Sequence, residues 1–481
     1  MRLSYIIRPE EILSREKPMH TEIGRPESDF RKLAKNDVFF CDDGFRESGF
    51  TYAKEASAKG AAAIVTSPGG AQRIGDISIP VIEVENVRKS YALAWRRYEN
   101  DPAKGLRLIA ITGTNGKTSV ASFLHTLLTA SGIPAGLIGT VEYTAGETHL
   151  SSSYTTPPPD MLYPLLRGMK DSGITTVVME ASSHAIAQHR LYGLEFQTAV
   201  FTNLSHDHLD YHKTLEAYRD IKASLFAHAE NAVIFADDPQ AEHMASAATG
   251  KVYRYGRSPQ ADFRIRNVQC DADGISYTLQ IKAGAVNVRF PAVGNFHVDN
   301  SAAAIACAFL EGISPEGLEI AALQLRTPSG RLEKLSLPTD FSVYIDYAHS
   351  PEALEKALLS LRPFTSKLTV LFGAGGDRDR EKRPQMGAIA ERLADLVILT
   401  GDNPRSESPD AILDDIEKGM HKTNRVRISD RREAIIWALG QAKKDEILLL
   451  AGKGHENYII DQNGKHDFSE KEIIKNTLGL S

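Results

Sequence analysis

A run of apolar residues ends in Gly113-Thr114-Asn115-Gly116-Lys117-Thr118-Ser119 and passes directly into a helical stretch. Residues 106–112 read as a strand, and residues from 117 to about 131 as a helix. A strand, a glycine-rich turn and a helix in that order commit this part of the chain to an α/β domain with a largely parallel sheet. Glycines let backbone N–H groups wrap phosphate oxygens, and the helix N-terminus adds a favourable dipole. Lys117 would then neutralise β/γ-phosphate charge, and the Thr118 hydroxyl would reach Mg²⁺. The usual phosphate loop has a glycine five residues before Gly116. Here that position is Ile111, so the loop is a shortened variant.

Strand-like and helical stretches alternate along the rest of the 481 residues. That length suggests about three domains. Residues 1–104 read as a small N-terminal α/β domain, with strands at 61–67 and 79–85 and a helix from 87 to about 102. Residues 105–329 read as a central P-loop ATPase-like domain whose last helix covers 300–312. Residues 330–481 alternate strand and helix as a C-terminal Rossmann-like domain, and 327–335 form the connector. In the third domain, polar and glycine-rich residues follow the strand ends, the edge where open α/β sheets bind ligands.

Composition closes off other classes. A net charge of -6 lacks the basic balance of a nucleic-acid binder. Cys41, Cys270 and Cys307 are far apart and lack CxxC spacing, which fits a reducing compartment without a cysteine metal site. No window approaches 18 consecutive apolar residues, and the N-terminus has no signal-peptide pattern. A cytoplasmic protein with no membrane insertion is expected.

The loop, with ten further segments, resembles the Mur ligase family. In order these are TTPPPD, MEASSHAIAQHR, NLSHDHLDYH, DIKASLF, GNFHVDNSAAA, SGRLE, YIDYAHSPEAL, GAGGDRDREKRPQM, GDNPRSE and AGKGHE. They run from about residue 106 to about residue 460, and the match is of the MurE type. The loop itself also resembles that of folylpolyglutamate synthetases. The resemblance implies an ATP-dependent ligase, working as a monomer with Mg²⁺. ATP activates the D-glutamyl carboxylate of a UDP-N-acetylmuramoyl dipeptide as an acyl phosphate, and an incoming amine displaces the phosphate.

Site residues follow from the same resemblance. Gly113 through Ser119 hold ATP, together with Asn300, Arg331, Asp346, Tyr347 and His349. Glu180 at a strand end and His208 join Thr118 as Mg²⁺ ligands, with His206 and His212 as neighbouring alternatives. Lys222 matches the lysine carried as an N-carbamate in these enzymes, whose anion binds a second metal; an ordinary helix lysine would be solvated. Thr155, Thr156, Ser182, Gln188 and Arg190 match positions that hold the muramoyl dipeptide. His297 stands where the family usually has Asn.

The amino acid to be added is read from residues 401–405. Pro404 stiffens that loop, and Arg405 offers a planar fork to a carboxylate. The Asp402-Asn403-Pro404-Arg405 form resembles the one that selects meso-diaminopimelate rather than L-lysine. Arg378, Gly452 and Glu456 match the other contacts, Glu456 suiting the distal ammonium. At the uridine end the likeness thins: the family's Asp-Ser-Arg appears as Asp29-Phe30-Arg31. Either Phe30 packs on the uracil or another residue, such as Ser28, takes the role.

Overall fold

The structure, a computed structural model, describes residues 1–14, 17–44, 48–272, 274–282 and 284–480. It has two compact units, Met1–Ala121 with Leu128–Arg254 and Ser122–Leu127 with Tyr255–Ser481.

The first unit opens with four parallel strands, Pro26–Glu27, Val38–Cys41, Ala63–Thr66 and Val81–Glu83, paired in chain order. Two of them lie inside the runs expected at 61–67 and 79–85. Between these two the chain makes a short helix, Gly70–Ile74, not merely a connection. Val38–Cys41 is fully buried, and its strand character was hidden inside a segment read only for the uridine end. The helix Val87–Tyr98 is capped by the Asn86 side chain, which accepts from the Lys89 N–H at 3.0 Å.

In the same unit the strand Arg107–Thr112 is flanked in parallel by Thr176–Glu180 and Phe196–Phe201. All five residues of Thr176–Glu180 are buried, as expected of a strand covered on both faces. Lys117–Ala130 forms the helix after the loop.

The second unit contains the antiparallel strands Phe263–Cys270, Ile275–Ile281 and Gly284–Phe290, and the buried helix Asn295–Leu310. Its six-stranded sheet runs Glu333–Lys334, Ser342–Asp346, Ile447–Ala451, Leu368–Phe372, Leu396–Leu399, Arg425–Arg427. Pairing is parallel except for the first, antiparallel strand, which lies in the segment read as a connector. The late strand Ile447–Ala451 is inserted between two early ones. That break in order is the switch point at which open sheets gather ligand-binding loops. No helix among the described residues is long and apolar enough to cross a membrane.

Candidate active site

The loop is shaped by close approach to the strand Phe196–Phe201. A Cβ on Gly113, at φ +146°, would lie 1.9 Å from Thr202 Oγ1. The hydroxyl of Thr202 donates to the Asn115 carbonyl at 2.6 Å, and Asn203 Oδ1 accepts from the Asn115 N–H at 3.0 Å. Thr202 and Asn203 thus latch the loop from outside the motif. Lys117 Nζ donates to the carbonyls of Gly113 and Thr114 at 2.9 and 2.8 Å. Thr118 and Ser119 are buried in the first turn of the helix.

Glu180 is buried at its strand end, and its carboxylate collects oxygen-bearing neighbours. Oε2 accepts from the Thr118 hydroxyl at 3.1 Å and lies 2.9 Å from the Thr140 hydroxyl. Oε1 accepts from the Thr140 N–H at 2.7 Å. A carboxylate ringed by hydroxyls is a hard-oxygen set of the kind that suits Mg²⁺. Among the described residues no three His, Cys, Asp or Glu side chains gather as a ligand set. The expected set contains two such residues, Glu180 and His208, and the hydrogen-bonded part of it is Thr118 with Glu180.

Lys222 is buried, and Nζ donates to the Gly113 carbonyl at 2.8 Å and lies 4.5 Å from the Tyr218 ring centre. Burial first, and the Lys117 charge second, push its pKa well below that of an ordinary lysine. Tyr218, one turn before it, brings its hydroxyl to 3.2 Å from Thr114 Oγ1. His208 is exposed at φ +54°, with its ring 6.4 Å from Tyr218 and 4.8 Å from His184. His212 is buried, with Nε2 3.0 Å from Ser183 Oγ, and His206 is exposed.

The dipeptide set is contiguous with Glu180. Thr156 donates to the Glu180 carbonyl at 2.7 Å and accepts from the Ser182 N–H at 3.0 Å. The hydroxyl of Thr155 lies 3.0 Å from that of Thr140. Arg190 donates to the Thr156 carbonyl at 2.7 Å and to Gln188 Oε1 at 2.8 Å. Towards the N-terminus, Phe30 stacks on Tyr52 at 5.1 Å, with Lys59 4.0 Å from its ring centre, while Ser28 is exposed. Asp29 is occupied with Arg31, accepting from its backbone and guanidinium.

The second unit holds the remaining residues. Arg331 lies over the Tyr347 ring at 4.9 Å, and Tyr347 is 4.7 Å from the ring of His349. Asp346 accepts from the N–H groups of Leu332 and Ala348 at 2.6 and 2.8 Å. Desolvation pushes its carboxyl up to about 6, against the opposing pull of Arg331. Asn300 is buried, one helical turn after His297.

At the sheet's carboxyl edge, Asn403 Nδ2 donates to Glu456 Oε2 at 2.9 Å, and Asp402 Oδ1 accepts from the Asn403 N–H at 2.6 Å. A Cβ on Gly452, at φ +110°, would lie 2.6 Å from Asp402 Oδ2. Arg405 Nη1 donates to the Gly376 carbonyl at 2.8 Å, beneath the Pro404 turn. The same guanidinium passes Gly375, next to the stem of the exposed Arg378. All seven expected amino-acid residues therefore converge. Thr140, Tyr218, Thr202, Asn203 and Lys453 join these clusters without having been singled out from the sequence.

Comparison with known proteins bears on the family. Residues 111–308 match the Mur ligase middle domain, and residues 330–454 match the Mur ligase, glutamate ligase domain. The chain is 38% identical to a UDP-N-acetylmuramoyl-L-alanyl-D-glutamate--2,6-diaminopimelate ligase of Clostridium tetani, covering 93% of each. It is 38% identical to one of Clostridioides difficile, covering 99% of each. A solved structure of a ligase of that name superposes with a TM-score of 0.72 at 31% identity, covering 100% of this chain and 99% of the other. The MurF ligase of Thermotoga maritima in complex with ADP, at 19% identity and TM-score 0.62, shares the fold over 89% of this chain and 93% of its own. On sequence, fold and site together, the chain belongs to the Mur ligase family.

Proposed function

We propose that the chain is an ATP-dependent ligase that adds meso-2,6-diaminopimelate to the D-glutamyl carboxylate of UDP-N-acetylmuramoyl-L-alanyl-D-glutamate. The observation that carries the reading is the convergence of the Arg405 guanidinium and the Glu456 carboxylate on one sheet edge, joined through Asn403. A cation and an anion side by side complement an amino-acid end that carries both ammonium and carboxylate. The end of L-lysine is an ammonium alone and would leave Arg405 facing a like charge.

A carboxylate resists attack until one of its oxygens becomes a leaving group. Transfer of the γ-phosphoryl group of ATP to a D-glutamyl oxygen supplies that group and leaves ADP. The amine of diaminopimelate then attacks the acyl carbon, and the tetrahedral adduct collapses to an amide with loss of phosphate. The loop amides and Lys117 hold the transferring phosphate, while Arg190, Gln188, Thr155, Thr156 and Ser182 orient the dipeptide. Thr118 and Glu180, with His208 and a Lys222 carbamate, would hold Mg²⁺, which lowers repulsion between phosphates and carboxylate. Burial and the Lys117 charge lower the Lys222 pKa, which favours the neutral amine that carbamate formation needs.

On this reading residues 1–104 take the uridine end, 105–329 the ATP and 330–481 the amino acid. The enzyme works as a cytoplasmic monomer in peptidoglycan precursor synthesis, and so supports cell-wall growth, shape and division. Phosphate release should require the dipeptide nucleotide, ATP, Mg²⁺ and diaminopimelate together. Release that is independent of the dipeptide nucleotide would overturn the reading.

A further inference from the structure

Lys453 is a buried ammonium that the chemistry above does not use. It lies two residues past the strand Ile447–Ala451, and its side chain has no solvent exposure. Nζ is 3.3 Å from Asn403 Oδ1 and 3.4 Å from Glu456 Oε2. Asn403 Nδ2 reaches the same Glu456 oxygen at 2.9 Å. The opposite oxygen, Oε1, accepts from the Tyr347 hydroxyl at 3.4 Å, and the Tyr458 hydroxyl also bonds this carboxylate. Two aromatic rings face the ammonium, with Nζ 5.6 Å from the Tyr458 ring centre and 5.9 Å from that of Phe468.

Burying an ammonium costs far more than filling the same slot with an apolar chain, unless the charge is answered nearby. Two carboxylates answer it: Glu456 in contact, and Asp402, which is also largely buried. The adjacent Arg431–Glu470 pair, at 2.8 Å, cancels itself. Without Lys453, Asp402 and Glu456 would be two like charges sharing one enclosed edge, and Glu456 Oε2 would lose a donor that stands beside Asn403.

We infer that Lys453 is a positioning residue: with Asn403 it pins Glu456 by Oε2, so that Oε1 is presented to the second ammonium of the incoming diamino acid. The inference rests on the amino-acid site proposed above. A lysine side chain suits this task because its three donors can serve Asn403 and Glu456 at once, from a side that the substrate does not enter.

The test is steady-state kinetics of the full-length enzyme with UDP-N-acetylmuramoyl-L-alanyl-D-glutamate, ATP and meso-diaminopimelate. Lys453→Gln and Lys453→Met both remove the charge but make different demands on the slot, so whichever keeps a cooperative melting transition is read. KM for diaminopimelate should rise about tenfold or more, the scale of losing one close charge partner. KM for ATP should stay within about threefold of wild type, and Lys453→Arg should recover much of the loss. In a Glu456→Gln background the same Lys453 substitution should cost little more, because the carboxylate it positions is gone.

An unchanged KM for diaminopimelate, or an equal loss in the Glu456→Gln background, would overturn the inference alone. A wild-type enzyme that turns over neither diaminopimelate nor L-lysine would overturn the functional reading and this inference with it.

Discussion

Glu180 is the residue on which the proposed ATP side of the site turns, and two hydroxyls, of Thr118 and Thr140, reach its carboxylate. The Thr140 hydroxyl lies between Glu180 and Thr155, and so touches both the expected metal ligand and the dipeptide set. Thr140→Val should leave the fold intact, since the Thr140 N–H still reaches Oε1, and should lower kcat about tenfold, the value of one bond to a charged group. Wild-type kcat in that variant would remove Thr140 from the account.

His297 offers a second test at this scale. It is fully buried, and desolvation pushes its pKa down to about 3, offset only in part by the Arg331 backbone. The unfolded chain takes up that proton near pH 6.5 and the folded chain only near 3, so stability falls as pH drops between the two. One such group gives a slope of up to about 1.4 kcal/mol per pH unit. Urea unfolding of His297→Asn should show a flatter slope between pH 6.5 and 4.5, and an unchanged slope would contradict this.

At this scale the sequence was partly legible. Thr118, Glu180 and Lys222 stood out because a glycine loop, a strand end and a family motif mark them, and the fold brings Thr118 to Glu180 and Lys222 to the loop. Thr140 sits in a loop with no motif, and only the fold brings it to Glu180. Tyr218 lies four residues before Lys222, a helical spacing that could have announced it.

Loops meeting at the carboxyl edge of the second unit's sheet are the elements that shape the proposed amino-acid site. Gly376 lies against the Pro404 turn so closely that a Cβ would fall 1.9 Å from the Pro404 carbonyl oxygen. Gly376→Ala should therefore displace the Asp402–Arg405 loop and raise KM for diaminopimelate about tenfold or more, with KM for ATP little changed. Titration of both substrates against initial rate reads this directly.

The same two loops are braced by Arg383, whose side chain is fully buried between Glu407 at 2.8 Å and Asp415 at 3.0 Å. Arg383→Met leaves Glu407 with Arg380 and Asp415 with Lys418 but removes the buried charge that joins them, and should cost about 1.5–3 kcal/mol, visible as a lowered melting temperature. Four strands of its six-stranded sheet, Ser342–Asp346, Leu368–Phe372, Leu396–Leu399 and Ile447–Ala451, were legible as apolar runs bounded by glycine and polar residues, whereas the short, polar Glu333–Lys334 and Arg425–Arg427 were not. Their order was not, because the place of Ile447–Ala451 between earlier strands is a long-range choice with no local signature. The hairpin Tyr458–Asp461 with Gly464–Asp467 was also missed, although Asn463-Gly464 at its turn is a hairpin signal. Its exposed, polar second strand lacks the alternation that marks a buried one.

For the whole molecule, the first unit carries the phosphate loop, Glu180 and the dipeptide set, and the second carries the amino-acid set. The N-terminal region was the least legible part. There Phe30 spends its ring on Tyr52 and Lys59, and a single substitution in a motif does not reveal that pairing.

The central claim is the identity of the amino acid joined. The most direct test gives the enzyme the dipeptide nucleotide, ATP and Mg²⁺ with equal amounts of meso-diaminopimelate and L-lysine, and weighs the product by mass spectrometry. The account predicts a nucleotide product heavier by one diaminopimelate less one water, with the lysine adduct a minor species. A product carrying lysine, or a nucleotide left unextended while the enzyme is folded, would contradict it.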